Sequence, residues 1–143
     1  MIQSVDRPSL MQEIDRRAQQ HGICMPILIE VNIGGEAQKG GIAPDDVFAF
    51  ARQCAACPGL KVSGLMCVMP NLDDKAALIP LFRKMRTLFE QLRDLAVAGT
   101  DITELSMGMS DDYLYAARAG ATHVRIGSAI FGRRHYPQTS GTV

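Results

Sequence analysis

Two short stretches near the C-terminus carry residue types suited to holding an anion. In "RIGSAIFG" (Arg125–Gly132), a β-rich run meets a Gly-Ser pair, and helix formers follow. Glycine lets a ligand approach the backbone closely, and N–H groups at the start of a helical turn, joined by a serine hydroxyl, suit a phosphate dianion. A plain tight turn with a solvated Ser128 produces the same letters. "LSMGMSDD" (Leu105–Asp112) repeats the design one unit earlier, with Ser106, Gly108 and Ser110 between a strand pattern and a helix pattern. Ser110 has an ordinary role as the cap of the following helix, whereas Ser106 and Gly108 have none. Two adjacent strand-to-helix turns, each with Ser and Gly, can face one anion from two sides. In βα barrels the loops after the last two strands are the usual phosphate grip.

Arg125 stands inside the last strand pattern, "THVRIGSAI". Side chains alternate along a strand. If Val124 and Ile126 pack against helices, then His123, Arg125 and Gly127 face the other side of the sheet. A buried guanidinium needs partners. An internal carboxylate, Glu30 or Glu104, is one possibility. The other is a ligand whose phosphate lies near Ser128 and whose ring lies beside Arg125.

Length and charge restrict the class. The chain has 143 residues, the size of one ordinary domain, and a formal net charge of zero. Zero net charge argues against broad binding to nucleic acid or anionic membranes. No apolar run reaches the roughly 18 residues of a membrane span, and "MIQSVDRPSL" lacks a signal-peptide apolar block, so a cytoplasmic location is expected. Cys54-Ala-Ala-Cys57 matches C-x-x-C. It falls at the end of a helix pattern, just before Pro58-Gly59, where the helix dipole opposes a thiolate. Neither a second pair nor clustered histidines complete a zinc site, and a structural role is expected.

The elements that must position the two turns alternate along the chain. "MIQSV" reads as a strand. "PSLMQEIDRRAQQHG" reads as a helix with a Ser9/Gln12 capping box and a Gly22 stop. Pro26–Gly34 and Leu60–Val68 read as strands, with the helix "APDDVFAFARQCAACPG" between them. A long amphipathic helix follows in "DDKAALIPLFRKMRTLFEQLRDLAVAG", broken or begun near Pro80. Ile102–Met109 is a strand, and "SDDYLYAARAG" is a short helix before the last strand. Repeated βα units predict an α/β fold with a parallel sheet of about five strands. A closed eight-stranded barrel needs about 250 residues. The fold is therefore a small open sheet or part of a barrel.

"IEVNIGGEAQKGGI", "VSGLMCVMP" and "LSMGMSDDYLYAARAGATHVRIGSAIFG" together resemble the pyridoxal phosphate homeostasis proteins, whose βα barrel is similar to the N-terminal domain of alanine racemase. The likeness runs from about Ile2 to Tyr136. It implies a domain over 1–136, formed by the C-terminal five or so strands of an alanine-racemase-like barrel, and a flexible tail over 137–143. It also implies a pyridoxal 5'-phosphate (PLP) site. Ser106 and Gly108 would lie near the phosphate, Gly127 and Ser128 at the phosphate, and Arg125 at the pyridine nitrogen. Met66 would line the ring's surroundings, and Asn32 would face the barrel. An arginine there disfavours a proton on the ring nitrogen, which suits a carrier without turnover better than an electron-sink enzyme.

The family's aldehyde-binding lysine sits in an "A-V-S-K"-like segment that has no counterpart here, so the resemblance implies a truncated form of the protein. Lys39, in "EAQKGGI", is not that residue and is expected to be a mobile surface lysine. An incomplete barrel exposes two sheet edges, which another chain or a second copy can cover. Two other readings stay open at this level. One is a barrel enzyme for a different phosphorylated metabolite, with Glu30, Glu104 or His123 as acid or base. The other is an inactive fragment.

Overall fold

The computed structural model describes residues 1–132. The expected boundary at residue 136 and the tail 137–143 lie outside the described residues. Five parallel strands, β1 (Ile2–Val5), β2 (Met25–Glu30), β3 (Leu60–Met66), β4 (Thr100–Met109) and β5 (His123–Arg125), stand side by side in sequence order. The helices α1 (Pro8–Gln20), α2 (Val47–Ala55), α3 (Ile79–Asp94) and α4 (Tyr113–Arg118) make the crossovers, and a single turn, α5 (Ser128–Phe131), follows β5. Sequential order with a helix after each strand is the topology of an open arc of a βα barrel.

The strands are apolar where they meet the helices. Ile27, Ile29, Val62, Leu65, Leu105 and Met107 join Phe50, Phe82, Met85 and Leu92 from the helices in one buried core. The alternate residues face the concave side. Leu28 and Met66 are buried there but stand outside that helix-side core. Register aligns Glu30 with Met66 and Met66 with Ser106, forming a row across β2, β3 and β4. Gly64 makes the close approach of β3 to β4 possible. Its backbone passes so close to β4 that a Cβ would lie 1.7 Å from Glu104 O, at the point where the β3–β4 register shifts.

Several element ends differ from the sequence expectation. Helix α1 starts at Pro8, so Ser9 already lies inside it; Arg7 is the N-cap and no side chain caps the end. The fixed φ of proline suits the first helical position and takes precedence over the Ser9/Gln12 box. β2 ends at Glu30 rather than Gly34, because Asn32 turns the chain: its Nδ2 donates to Glu36 O (2.9 Å) and its Oδ1 accepts from Glu36 N (3.2 Å). Helix α3 begins beside Pro80 after a short 3-10 turn, as the proline requires. Helix α4 has Asp112, not Ser110, as its N-cap. Strand β5 is short, and Val124 is 40% exposed instead of packed under helices.

Candidate functional site

Both Ser-Gly turns open onto one hollow of about 520 Å³ at the C-terminal ends of β4 and β5. Met109, Ser110 and Asp111 line it from one side, and Gly127, Ser128 and Phe131 from the other. The turns are joined directly. Gly127 N donates to Ser110 Oγ at 3.1 Å, and Ala129 N donates to the same oxygen at 3.3 Å. Two backbone N–H groups at the start of α5 therefore converge on one oxygen, the geometry of an anion-holding turn. Ser110, expected to cap α4, instead serves this turn; Asp112 takes the N-cap position, makes no capping bond to the helix, and its carboxylate accepts from Met109 N.

The glycines of the two turns differ. Gly108 is buried at φ +94°, and a Cβ there would lie 2.5 Å from Ala116 Cβ. It lets α4 pack onto β4, and the chain then turns toward Ser110. Gly127 has φ −118°, and a Cβ there would meet nothing within 4 Å. The fold does not require a glycine at that point, and the space on its Cβ side is open to a ligand. Ser128 is exposed at the rim.

Arg125 lies deeper, on the concave face. Its Nη1 donates to Ser106 Oγ (2.7 Å) and its Nη2 to Cys67 O (2.8 Å). Ser106 is fully buried and passes its own proton to Gln3 Oε1 at 2.8 Å. Ser106 thus belongs to the guanidinium's setting, while Ser110 holds the turn. Neither Glu30 nor Glu104 pairs with Arg125. Among the described residues its charge has no carboxylate partner. Burial and the nearby Asp6 charge push the Glu30 carboxyl above its ordinary range, with Arg125 pulling it down. Glu104 accepts from Thr122 and faces His123 Nδ1 at 3.1 Å. Neither residue lines the hollow.

Met66 lies between Glu30 and Ser106 in the concave row and is 5% exposed. Asn32 is spent on its own loop, where its Nδ2 also reaches Lys39 O. Lys39, expected to be mobile, is instead tied. Its Nζ pairs with Glu36 and donates to Met69 O at 3.1 Å, beside a second hollow of about 180 Å³ lined by Glu30, Asn32 and Val68. The C-x-x-C pair has no thiolate character: burial pushes the Cys54 thiol up to about 12 and also raises Cys57. No group of His, Cys, Asp or Glu among the described residues could hold a metal ion, and no described helix is long and apolar enough to cross a membrane.

Sequence reasoning missed Gln3 and the Cys67 carbonyl. Gln3 carried one signal, a polar residue inside an otherwise apolar strand pattern. A backbone acceptor carries none.

This arrangement has relatives. The chain is 43% identical over 137 residues to the pyridoxal phosphate homeostasis protein of Aquifex aeolicus, covering 95% of this chain and 59% of that one. It superposes with TM-score 0.80 and 32% identity on PipY of Synechococcus elongatus with PLP bound, covering 92% of this chain and 60% of that one. An alanine racemase of Clostridium difficile superposes with TM-score 0.70 at 16% identity, over 96% of this chain and 35% of that one, and shows the shared fold. The chain therefore spans less than two thirds of the length of these relatives. The relatives named for pyridoxal phosphate homeostasis carry no reaction in their names. The open arc of βα units matches the family described as "Alanine racemase, N-terminal domain" over residues 1–135, and the chain belongs to that family.

Proposed function

We propose that this chain holds PLP by its phosphate and its ring nitrogen, as part of a PLP homeostasis protein that carries the cofactor without turning it over. One observation carries the proposal: Gly127 N and Ala129 N converge on a single oxygen, Ser110 Oγ. A neutral hydroxyl in that focus marks the place of an acceptor. A phosphate oxygen is a better one, since charge-assisted hydrogen bonds are roughly twice as strong as neutral ones. The residues fit the cofactor. The hollow of about 520 Å³ is adequate for a phosphate group, and Arg125 brings a charge that no carboxylate among the described residues neutralises. The relatives' names and the PLP in PipY support the same choice of ligand.

PLP, when bound, supplies an electron-poor ring that stabilises adjacent negative charge. Arg125 works against this. A guanidinium stays protonated and donates to a ring nitrogen, so it disfavours a proton there. Ser128 and the two amides orient the phosphate, and Met66 offers an apolar surface. Asn32 supports the loop that carries Lys39. The four cysteines are all unpaired, which suits a reducing compartment such as the cytoplasm. Two sheet edges, β1 and β5, lack a neighbouring strand among the described residues, so association with a second copy or another chain along an edge belongs to the same proposal.

The test is a titration of the chain with PLP, followed by absorbance and fluorescence, in parallel with Arg125→Ala and Ser128→Ala. The parent is expected to bind, and each variant to weaken binding roughly tenfold or more, the range of a lost charge-assisted bond. Equal binding by parent and both variants contradicts the assignment. Retention of inorganic phosphate with no response to the ring would favour a site for another phosphorylated metabolite.

A further inference from the structure

We infer that Gln3 is a positioning residue for Arg125, acting through Ser106, and that it decides how the guanidinium meets a ring nitrogen. This rests on the proposed PLP site. A serine hydroxyl has one proton and two lone pairs. Ser106 Oγ donates that proton to Gln3 Oε1 at 2.8 Å, which leaves its lone pairs to receive Arg125 Nη1 at 2.7 Å. The order Gln3, Ser106, Arg125 is thereby fixed in direction. Without an acceptor at position 3 the hydroxyl is free to rotate, and its proton can point at the guanidinium it now receives. Ser106 is fully buried, so water does not readily replace Gln3 as the acceptor.

The geometry adds a second constraint. Gln3 belongs to β1 and Ser106 to β4, with β2 and β3 between them in the sheet. The carboxamide therefore reaches across the concave face, and the Cys67 carbonyl at the end of β3 takes the guanidinium's other nitrogen. Arg125 is held on two sides by uncharged acceptors. Its plane is fixed with no counter-charge among the described residues bonded to it. Short, directed bonds between buried polar groups reinforce one another.

Three variants of the full chain test this: Gln3→Met, which keeps the length and removes the amide acceptor; Gln3→Glu, which keeps an acceptor for Ser106; and Ser106→Ala. Each is titrated with PLP and with inorganic phosphate, after circular dichroism has shown the parent fold. Gln3→Met is expected to weaken PLP binding roughly fivefold to tenfold, the range of a lost hydrogen bond. Phosphate binding should stay within about twofold. Gln3→Glu keeps the acceptor but sets a carboxylate near the guanidinium, so it is expected to keep the Arg125 Nη groups ordered and to recover PLP binding only in part, and Ser106→Ala is expected to behave as Gln3→Met. Equal loss of both ligands in Gln3→Met, or PLP binding unchanged in Gln3→Met but lost in Ser106→Ala, overturns the role.

A readout without any ligand separates this proposal from the PLP site itself. In ¹⁵N spectra of the parent, restricted rotation should resolve the Arg125 Nη groups, and Gln3→Met should merge them. If PLP does not bind to the parent but the merging is seen, the functional proposal fails and the Gln3 coupling stands. Identical guanidinium spectra in parent and variant overturn the coupling.

Discussion

Arg125 reaches over a whole strand: its Nη2 lies 2.8 Å from Cys67 O, although β4 stands between β5 and β3. Only a side chain lying along a concave sheet face makes that contact. The guanidinium is anchored by a peptide carbonyl and a hydroxyl, so it keeps its charge for whatever enters the barrel side. That relationship connects the curvature of the sheet to the chemistry proposed for it.

The two glycines of the site are expected to respond in opposite ways. Gly108→Ala places a methyl 2.5 Å from Ala116 Cβ at φ +94°. A loss of roughly 2–4 kcal/mol is expected from strain and overpacking, read as a lower urea midpoint. Gly127→Ala meets open space and should leave stability within about 0.5 kcal/mol. It should nonetheless weaken PLP binding roughly fivefold or more, because a methyl then takes up open space that glycine leaves to a ligand. Equal stability loss in both would contradict the distinction.

Glu30 gives the fold a pH dependence. Burial and the Asp6 charge hold its folded pKa above the ordinary range, against the pull of Arg125. The folded state therefore keeps that proton more tightly than the unfolded chain. The resulting stability is complete below the ordinary carboxylate value of about 4.3 and is lost as pH rises through the raised folded value. Glu30→Gln is expected to melt higher than the parent at pH 7, with the gap closing toward pH 4. Thermal melts at several pH values check this, and parallel curves would contradict it.

The thiols are expected to separate by burial. Cys24 is exposed, while burial pushes Cys54 and Cys67 each up to about 12. At pH 8 a thiol reagent should modify Cys24 in the native protein. Cys54 and Cys67 should react only once denaturant exposes them. Mass mapping of the modified peptides reads the outcome, and early modification of Cys54 would revive a redox role for the C-x-x-C pair.

How far the residues announced themselves follows from physical range. The βα alternation and the Pro80 helix start are local patterns, and they appear where the sequence puts them. The pairing of "SMGMS" with "RIGS" was legible because both turns follow consecutive strands. The division of labour inside it was not. Ser110 looked like a helix cap because caps are local, yet its partners are Gly127 and Ala129, seventeen and nineteen residues away. The family resemblance implied that Asn32 faces the barrel, but a carboxamide with loop amides in reach turns the chain instead. Gln3 and Ser106 are 103 residues apart, and only the curvature of the sheet brings them together.

Gly127 N and Ala129 N, which share Ser110 Oγ, are the proposed grip for the phosphate of PLP. An amide ¹H–¹⁵N NMR titration of the full chain with PLP reads those two groups directly. Saturable downfield shifts of the Gly127 and Ala129 amides, matched by inorganic phosphate at higher concentration, are the expected result. Amides elsewhere shifting while these two stay fixed would contradict it.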